Sequence, residues 1–270
     1  MMLPLRELPL AEPVPASGLR LRLLSYNIQV GINSVRPHHY VTRSWKHVLP
    51  HSQRFRNLDR IAELLSGYDI VALQEVDAGS HRTGNINLTE YLAAQAEFSF
   101  WHHQLNRDIA GIARHANGLL SRLRPTEVTE HRLPGFIPGR GALMARYGDH
   151  HSPLVVILIH LALGQRTRLR QLDYIAEVIS DYDHVVLMGD MNCEPGSPEM
   201  QLLFRRTCLR EPVEGLCTFP SWRPARNIDH ILVSPSLEVS QCQVLNHAIS
   251  DHLPIAMEVA VPATVHLAGR

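Results

Sequence analysis

The chain has 270 residues, enough for one large domain, and its 45% hydrophobic and 19% charged residues are the balance of a globular protein. Its 26 basic and 26 acidic residues cancel, which argues against binding along a long stretch of nucleic acid by bulk electrostatics. The longest apolar runs, such as residues 154–159, are too short to cross a bilayer. Fibrous, low-complexity and membrane-spanning classes are therefore excluded.

From its N-terminus the sequence divides into an arm, one domain and a tail. Residues 1–19 contain four prolines and no unbroken apolar stretch, so we expect a poorly ordered arm and no secretory signal. Residues 20–262 are predicted to form a single domain, and residues 263–270 a C-terminal tail. The four cysteines form no CxxC pair, which is typical of reduced thiols and favours a cytoplasmic protein.

Two segments of the chain repeat each other. Residues 58–74 and 172–188 share ten of seventeen aligned positions without a gap. In each copy, apolar residues with helical spacing lead through a turn into a short apolar strand, which is followed by Glu75 or Asp190. Another apolar strand precedes each helix and ends on Asn27 or His160. The pattern predicts a duplicated unit of strand, loop, helix and strand.

Further strand candidates follow, too many for one small open sheet: residues 118–123, 142–147, 228–234, 237–245 and 253–261. The predicted fold class is therefore α/β, a four-layer α/β sandwich in which two packed mixed β-sheets are flanked by helices and the duplicated halves are related by a pseudo-twofold. In such a sandwich the polar residues at the strand ends of both halves converge at one rim.

Polar residues stand at the ends of the apolar strands throughout the chain: Asn27, Glu75, His160, Asp190 with Asn192, Asp229, and Asp251 with His252. Acids in buried surroundings need a partner or a cation. Acids, amides and histidines without thiolates suit Mg²⁺ or Mn²⁺, which bind phosphate esters in such sites. In this interpretation Asp190 orients and deprotonates a water, Asn192 holds a phosphate oxygen, and His252, oriented by Asp229, stabilises charge on phosphorus.

Seven segments occur in order between residues 23 and 255: LLSYNIQ, VALQEVD, HANGLLSR, LIHLALG, VVLMGDMN, NIDHILVS and ISDHLPI. Together they resemble the endonuclease/exonuclease/phosphatase superfamily of metal-dependent phosphoesterases. The resemblance implies that Glu75 is the principal metal ligand, with Asn27 beside it and Asp251 completing the set. Gln29 stands where some members carry an acid, which leaves the number of metal ions open.

The same resemblance implies the catalytic roles. Asp190 would orient the attacking water and Asn192 would bind the scissile phosphate. His252, paired with Asp229, would stabilise the pentacovalent state. His160 matches the position at which deoxyribonuclease-like members carry a histidine that assists the leaving group.

Substrate choice is expected to lie in the loops between these motifs. Residues 28–58 contain five cations and no acid, which favours either a solvated basic loop or an anion-binding rim: Arg36, Arg43, Lys46, Arg54 and Arg56. Arg140, Asn117 and Arg166 are candidates for substrate binding. The three tryptophans, Trp45, Trp101 and Trp222, could stack on a base or reach lipid headgroups.

The predicted function is divalent-metal-dependent hydrolysis of phosphate esters, with a phosphodiesterase favoured over a monoesterase. The substrate stays open between nucleic acid, a small molecule and a lipid headgroup at a membrane surface, and we expect a monomer. One alternative is a catalytically silent member that binds phosphorylated ligands, although the intact set from Asn27 to His252 argues against it. Another is a metal-binding or structural protein that uses its 17 histidines.

Overall fold

The computed structural model describes residues 19–31, 52–135 and 139–267. Most of the predicted arm, residues 1–18, therefore lies outside the described residues, as does most of the basic segment, including Trp45. Within the described residues the elements are, in chain order, β1 (Arg20–Asn27), α1 (Ser52–Leu65), β2 (Ile70–Asp77), α2 (Leu88–Gln95), β3 (Phe100–Ile109), β4 (Ala113–Ser121), β5 (Glu127–Arg132), β6 (Gly141–Tyr147), β7 (Leu154–His160), α3 (Gln165–Val178), β8 (His184–Asp190), α4 (Pro198–Arg206), β9 (Asp229–Val233), β10 (Glu238–Val244) and β11 (Ile255–Ala260).

The strands form two mixed sheets. One has six strands in the order β10-β11-β1-β2-β4-β3, and the other has five in the order β5-β6-β7-β8-β9. Each sheet is built around one parallel pair, β1–β2 or β7–β8, and the other neighbours are antiparallel. When the two parallel pairs are superposed, strands β10-β11-β1-β2-β4 of the larger sheet correspond to β5-β6-β7-β8-β9 of the smaller one. The order of the strands and their relative directions are the same in both. The predicted α/β sandwich with duplicated halves is confirmed.

Three hydrophobic clusters hold the layers together. The central cluster lies between the sheets and joins residues such as Leu23 of β1 to residues such as Leu158 of β7. The second cluster packs α1 and α2 on the six-stranded sheet, and the third packs α3 and α4 on the five-stranded sheet. Equivalent residues of the repeat, Ile61 in α1 and Ile175 in α3, are both fully buried, so the periodicity identified the core faces correctly.

Four elements lacked a recognised sequence signal: β3, β5, α2 and α4. The strands β3 and β5 are edges of their sheets and most of their side chains are partly or fully exposed, so no apolar alternation marks them. The two helices are short, although Asn87 caps α2 and Ser197, followed by Pro198, caps α4. The longest described helices have 14 residues, and none is long and apolar enough to span a membrane.

The fold gathers strand ends at one rim. Asn27, His160 and Asp190 are the last residues of parallel strands, and Asp229 begins β9 opposite Asp190. Glu75 differs from expectation, because β2 does not end before it but continues to Asp77. The register of β2 on β4 shifts between Leu73 and Val76, and Glu75 has a φ of +54°. This bulge turns the Glu75 side chain toward the rim.

Gly189 allows the close pairing of β7 and β8 next to Asp190. Its φ is +146°, and a Cβ added there would lie 1.9 Å from the backbone oxygen of Ile159. Because that oxygen belongs to the neighbouring strand, it cannot move away without disturbing the sheet. We expect Gly189→Ala to lower the free energy of unfolding by roughly 3 kcal/mol or more, measured by chemical denaturation.

Gly196→Ala is the matched control, because a Cβ at that loop position meets no heavy atom within 4 Å. It should change the free energy of unfolding by no more than about 0.5 kcal/mol. Equal stabilities of the two variants would contradict this role of Gly189.

Candidate active site

Asp190 lies at the centre of the converging side chains. Its Oδ2 accepts a hydrogen bond from Asn27 Nδ2 at 3.1 Å and lies 3.4 Å from His160 Nε2 and 3.9 Å from His252 Nε2. Its Oδ1 accepts the backbone N–H of Asn192 at 3.0 Å. Because Asn27 belongs to one sheet and Asp190 to the other, their hydrogen bond joins the two halves at the rim.

The surroundings of Asp190 favour proton acceptance. Burial raises the pKa of Asp190 above its ordinary value, and the nearby Asp229 carboxylate adds to the rise although the His252 cation opposes it. A carboxylate with a raised pKa holds an accepted proton better than an exposed one does. The geometry therefore suits Asp190 to take a proton from a bound water.

His252 is paired as the sequence predicted. Its Nδ1 donates to Asp229 Oδ2 at 2.8 Å, and the same oxygen accepts a hydrogen bond from the Thr218 hydroxyl. Burial alone would lower the pKa of His252, but the Asp229 and Asp190 carboxylates outweigh it and raise the pKa to about 10. His252 is therefore an imidazolium at neutral pH, and its Nε2–H is a cationic donor on the rim.

His160 is in the opposite state. Burial lowers the pKa of His160 well below its ordinary value, and the charges of Arg140 and His252 lower it further. Its ring is therefore neutral at neutral pH. A neutral ring has one N–H group, which can donate a hydrogen bond to a leaving oxygen. It does not carry the additional proton that an imidazolium could transfer to that oxygen.

Asn192 is held in place from several sides. It has a φ of +53°, and its Nδ2 donates to the Leu161 oxygen at 3.0 Å. The next carbonyl, that of Cys193, accepts a hydrogen bond from Nε2 of the fully buried His230, whose Nδ1 lies 2.9 Å from Glu211. His230 and Glu211 brace the Asn192 loop, and sequence reasoning gave them no role.

Glu75, Asp251, Asn27 and Gln29 form a second group of oxygen donors. Burial raises the pKa of Glu75, and the Asp251 carboxylate raises it further, while Asn27 hydrogen-bonds to it. Gln29 donates from Nε2 to Asp251 Oδ2 at 3.4 Å, and its buried Oε1 has no hydrogen-bond partner among the described residues. Repelling carboxylates beside an unpaired amide oxygen are the donor set of a hard divalent cation. These residues therefore fit Mg²⁺ or Mn²⁺.

Another set of possible ligands is Asp190, Asp229 and His252, whose ligand atoms lie within 4.8 Å of one another. In this set Asp229 and His252 are already hydrogen-bonded to each other at 2.8 Å, and the imidazolium repels a metal ion. The trio therefore fits proton chemistry better than metal ligation.

A second loop braces the segment that contains Asp251 and His252. Ser221 donates through its backbone N–H to the Asp251 oxygen and through its hydroxyl to the Ser250 oxygen, both at 2.7 Å. The Phe219 ring packs on His252 with a centroid distance of 4.9 Å. Apart from Trp222, the residues of this loop were not singled out from the sequence.

The candidate substrate-binding residues lie on one side of the rim. Arg140 lines a pocket of about 530 Å³ together with Glu75 and His160. Arg166 is exposed on the first turn of α3, next to Thr167 of the pocket wall. Asn117 is fully buried and donates to the Gly141 oxygen at 3.1 Å. Asn117 thus supports β6 next to Arg140. Contact between Asn117 and the substrate stays a prediction.

The structure also shows the surroundings of two other residues considered for substrate contact: the expectation fails for Arg54, while lipid contact by the exposed Trp101 stays a prediction. Arg54 is not part of an exposed basic loop or rim, because it is buried on α1 and donates to the backbone oxygen of Arg82. Trp101 lies at the start of β3 and pairs with Leu120 of β4, which in turn pairs with Val71 at the start of β2. The start of β2 is at the edge of the sheet opposite the rim, so Trp101 is far from the rim. It stacks instead on His103 with a centroid distance of 6.0 Å.

Comparisons with solved structures agree with this fold. An endonuclease/exonuclease/phosphatase from Beutenbergia cavernae is 19% identical with a TM-score of 0.69, over 90% of this chain and 72% of that one. A mannosyl-6-phosphatase from Bacteroides thetaiotaomicron is 17% identical with a TM-score of 0.65, over 89% and 99%. A humanized D. rerio TDP2 is 16% identical with a TM-score of 0.64, over 90% and 99%. At these identities the likeness shows the fold alone.

A comparison with curated protein sequences gave no significant match. The model of the Endonuclease/Exonuclease/phosphatase family matches residues 24–252, well over half of the chain, and this range includes all the candidate residues from Asn27 to His252. Members of that family are generally hydrolases of phosphate esters. The chain belongs to the endonuclease/exonuclease/phosphatase family.

Proposed function

We propose that the protein is a Mg²⁺- or Mn²⁺-dependent phosphodiesterase that uses in-line attack by a water oriented by Asp190. The observation behind the proposal is the position of Asp190 between a cationic His252 and a neutral His160, next to the paired carboxylates Glu75 and Asp251. A proton acceptor, a cationic donor and a metal-type oxygen set therefore share one rim. Metal-assisted hydrolysis of a phosphate ester uses all three.

Glu75, Asn27 and Asp251 would hold the metal ion. With all four rim carboxylates ionised, the charges of His252 and Arg140 leave an excess of two negative charges, which a divalent cation balances. When bound, the ion would stabilise charge on a nonbridging phosphate oxygen.

The chain's own residues supply the remaining steps. Asp190 accepts a proton from the water while the water oxygen forms its bond to phosphorus. The bond from phosphorus to the leaving oxygen breaks, and that oxygen keeps the electron pair and takes a proton from solvent. The His252 Nε2–H and the Asn192 side chain donate to phosphoryl oxygens, and the neutral His160 donates to the leaving oxygen.

A diester is favoured because the rim with its metal ion carries no excess positive charge, and the phosphate of a diester brings one negative charge where that of a monoester brings up to two. The substrate itself is open. One structurally similar protein is named a mannosyl-6-phosphatase, so the test below also includes a phosphate monoester. A silent phosphate binder is the less favoured alternative, because binding alone does not require a buried carboxylate between a cationic and a neutral histidine.

Purified protein should hydrolyse at least one ester of a panel in Mg²⁺ or Mn²⁺, and EDTA should stop the reaction. The panel is plasmid DNA, RNA, bis-p-nitrophenyl phosphate, p-nitrophenyl phosphate and sphingomyelin. Added metal in excess of EDTA should restore the rate, because the oxygen donors at Glu75 and Asp251 bind the ion reversibly.

The Asp190→Asn protein, purified in the same way, controls for contaminating hydrolases. No turnover of any ester with either metal would reject the enzyme proposal and favour the binding-only alternative. Turnover that survives EDTA would reject the metal dependence.

A further inference from the structure

The pocket next to Glu75 and His160 extends away from the catalytic centre. Its volume is about 530 Å³, within the range of small-molecule sites. Asn106 and Arg107 of β3 line one side, and Gly164 and Thr167 at the start of α3 line another. Neither Asp190 nor His252 is part of the described lining. Apart from Glu75, His160 and the charge of Arg140, its walls therefore play no part in the proposed chemistry.

The walls of this pocket are cationic. Arg107 and Arg140 both line it, and neither guanidinium group has a hydrogen bond or a close ion pair with a side chain among the described residues. Glu75 is the one carboxylate in the described lining, and a bound metal ion would neutralise it. Burial and nearby arginine charges, Arg82 first, lower the pKa of His115 to about 4, so this wall residue is neutral. Arg140 faces the Glu75 and Asp190 carboxylates. With a metal ion bound at Glu75, the described lining carries two guanidinium groups and no carboxylate that the metal ion does not balance.

The α3 side of the pocket adds polar backbone donors. Gly164 is the N-cap of α3 and supplies no side-chain cap, so the first N–H groups of the helix have no acceptor from a capping side chain. The preceding loop is fixed, because Arg168 donates to the Ala162 oxygen at 3.3 Å and to Glu199 at 2.7 Å. The wall is thus a built structure. The Thr167 and Arg168 N–H groups already donate to the Gly164 oxygen, so the N–H groups of Gln165 and Arg166, next to this wall, are the ones left for a ligand.

We infer that this pocket binds a second phosphate group of the substrate, next to the one that is hydrolysed. The inference rests on the proposed function and narrows its substrate class to esters that carry another phosphate close to the scissile one. Guanidinium groups and helix N–H donors are the groups that bind phosphate in proteins. The apolar atoms of Ala116, Ala162 and Leu163 in the same wall would contact the sugar or polyol that links the two phosphates.

This chemistry occurs in two kinds of compound, an oligonucleotide with neighbouring phosphates and a small bisphosphorylated sugar. The first arm of the test compares dithymidine monophosphate, which has a single internal phosphodiester, with the same dinucleotide bearing a 5′- or 3′-terminal phosphate. The second arm compares glucose 6-phosphate with glucose 1,6-bisphosphate. Affinity is measured by calorimetry on the Asp190→Asn protein, and turnover is measured on the unmodified protein.

The added phosphate should tighten binding roughly ten-fold or more in one arm, and that arm identifies the source. Arg107→Gln should remove most of this preference, because it deletes an exposed cation of the pocket without burying a polar group. Arg205→Gln is the matched control: Arg205 is also exposed, but it lies by Asp183 and His184 at the opposite end of β8. It should keep the full preference.

No preference for the added phosphate in either arm would overturn the inference, and so would a preference that persists in the Arg107→Gln, Arg140→Gln double variant. Thermal unfolding of each variant shows whether it is folded. A binding preference without turnover of any ester would instead reject the proposed function and leave the second phosphate site standing.

Discussion

Replacing Asp190 by asparagine should lower kcat by roughly three orders of magnitude while leaving metal affinity almost unchanged. Asparagine can still accept the Asn192 N–H, which lies 3.0 Å from Oδ1, but it cannot accept a proton from water. The loss of a general base removes an interaction made in the transition state, so kcat should fall with little change in KM. Steady-state kinetics over a metal titration, with calorimetry of Mn²⁺ binding, provide both readouts.

Glu75→Gln should behave differently. The amide loses the negative charge that, with Asp251, attracts the cation, so the metal concentration for half-maximal rate should rise roughly ten-fold or more. Excess metal should then recover part of the activity, which it should not do for Asp190→Asn. Glu238→Gln is a control for charge alone, because Glu238 is exposed at the end of the sheet opposite the rim. Equal shifts in metal dependence for Glu75→Gln and Asp190→Asn would refute the division of roles.

The positions of the main candidate residues at the rim were predictable because they follow from the sheet. A polar residue directly after a buried apolar strand lies at the strand end, and the ends of parallel strands share an edge. Asn27, His160 and Asp190 satisfy this rule, and the repeat of residues 58–74 at 172–188 showed that two such edges exist. The hydrogen bond from Asn27 to Asp190 joins those edges.

The bracing residues could not be predicted in the same way. Thr218 and Glu211 lie in irregular segments, and their partners Asp229 and His230 are distant in sequence, so no periodicity connects them. The pocket that we propose for a second phosphate group was missed for a related reason. One of its walls is β3, an edge strand with few buried side chains, and Arg107 has no sequence feature that separates it from the other arginines.

The protonation states of the two histidines lead to a test of the mechanism by pH. His252 acts as a cation, and its pKa is raised to about 10 by Asp229 and Asp190 against the effect of burial. Activity at saturating Mg²⁺ should therefore fall only as the pH rises toward 10, where the imidazolium is lost. In Asp229→Asn the largest raising charge is gone and burial dominates, so the pKa of His252 should fall and the alkaline limb should move to lower pH. The limb is measured as kcat against pH, and the ring is followed directly by proton NMR.

His160→Gln is the control that separates the two rings. The pKa of His160 lies well below its ordinary value because of burial and the charges of Arg140 and His252, so His160 does not titrate in the alkaline range. Its replacement should reduce the rate but leave the position of the alkaline limb unchanged. The Asp229–His252 pair should also stabilise the fold fully at pH values below the ordinary histidine pKa, and this contribution should be lost as the pH rises through the raised value. The opposite result, an alkaline limb that stays in place in Asp229→Asn but moves in His160→Gln, would contradict this assignment. It would show that the cation at the reacting phosphate is His160 and not His252.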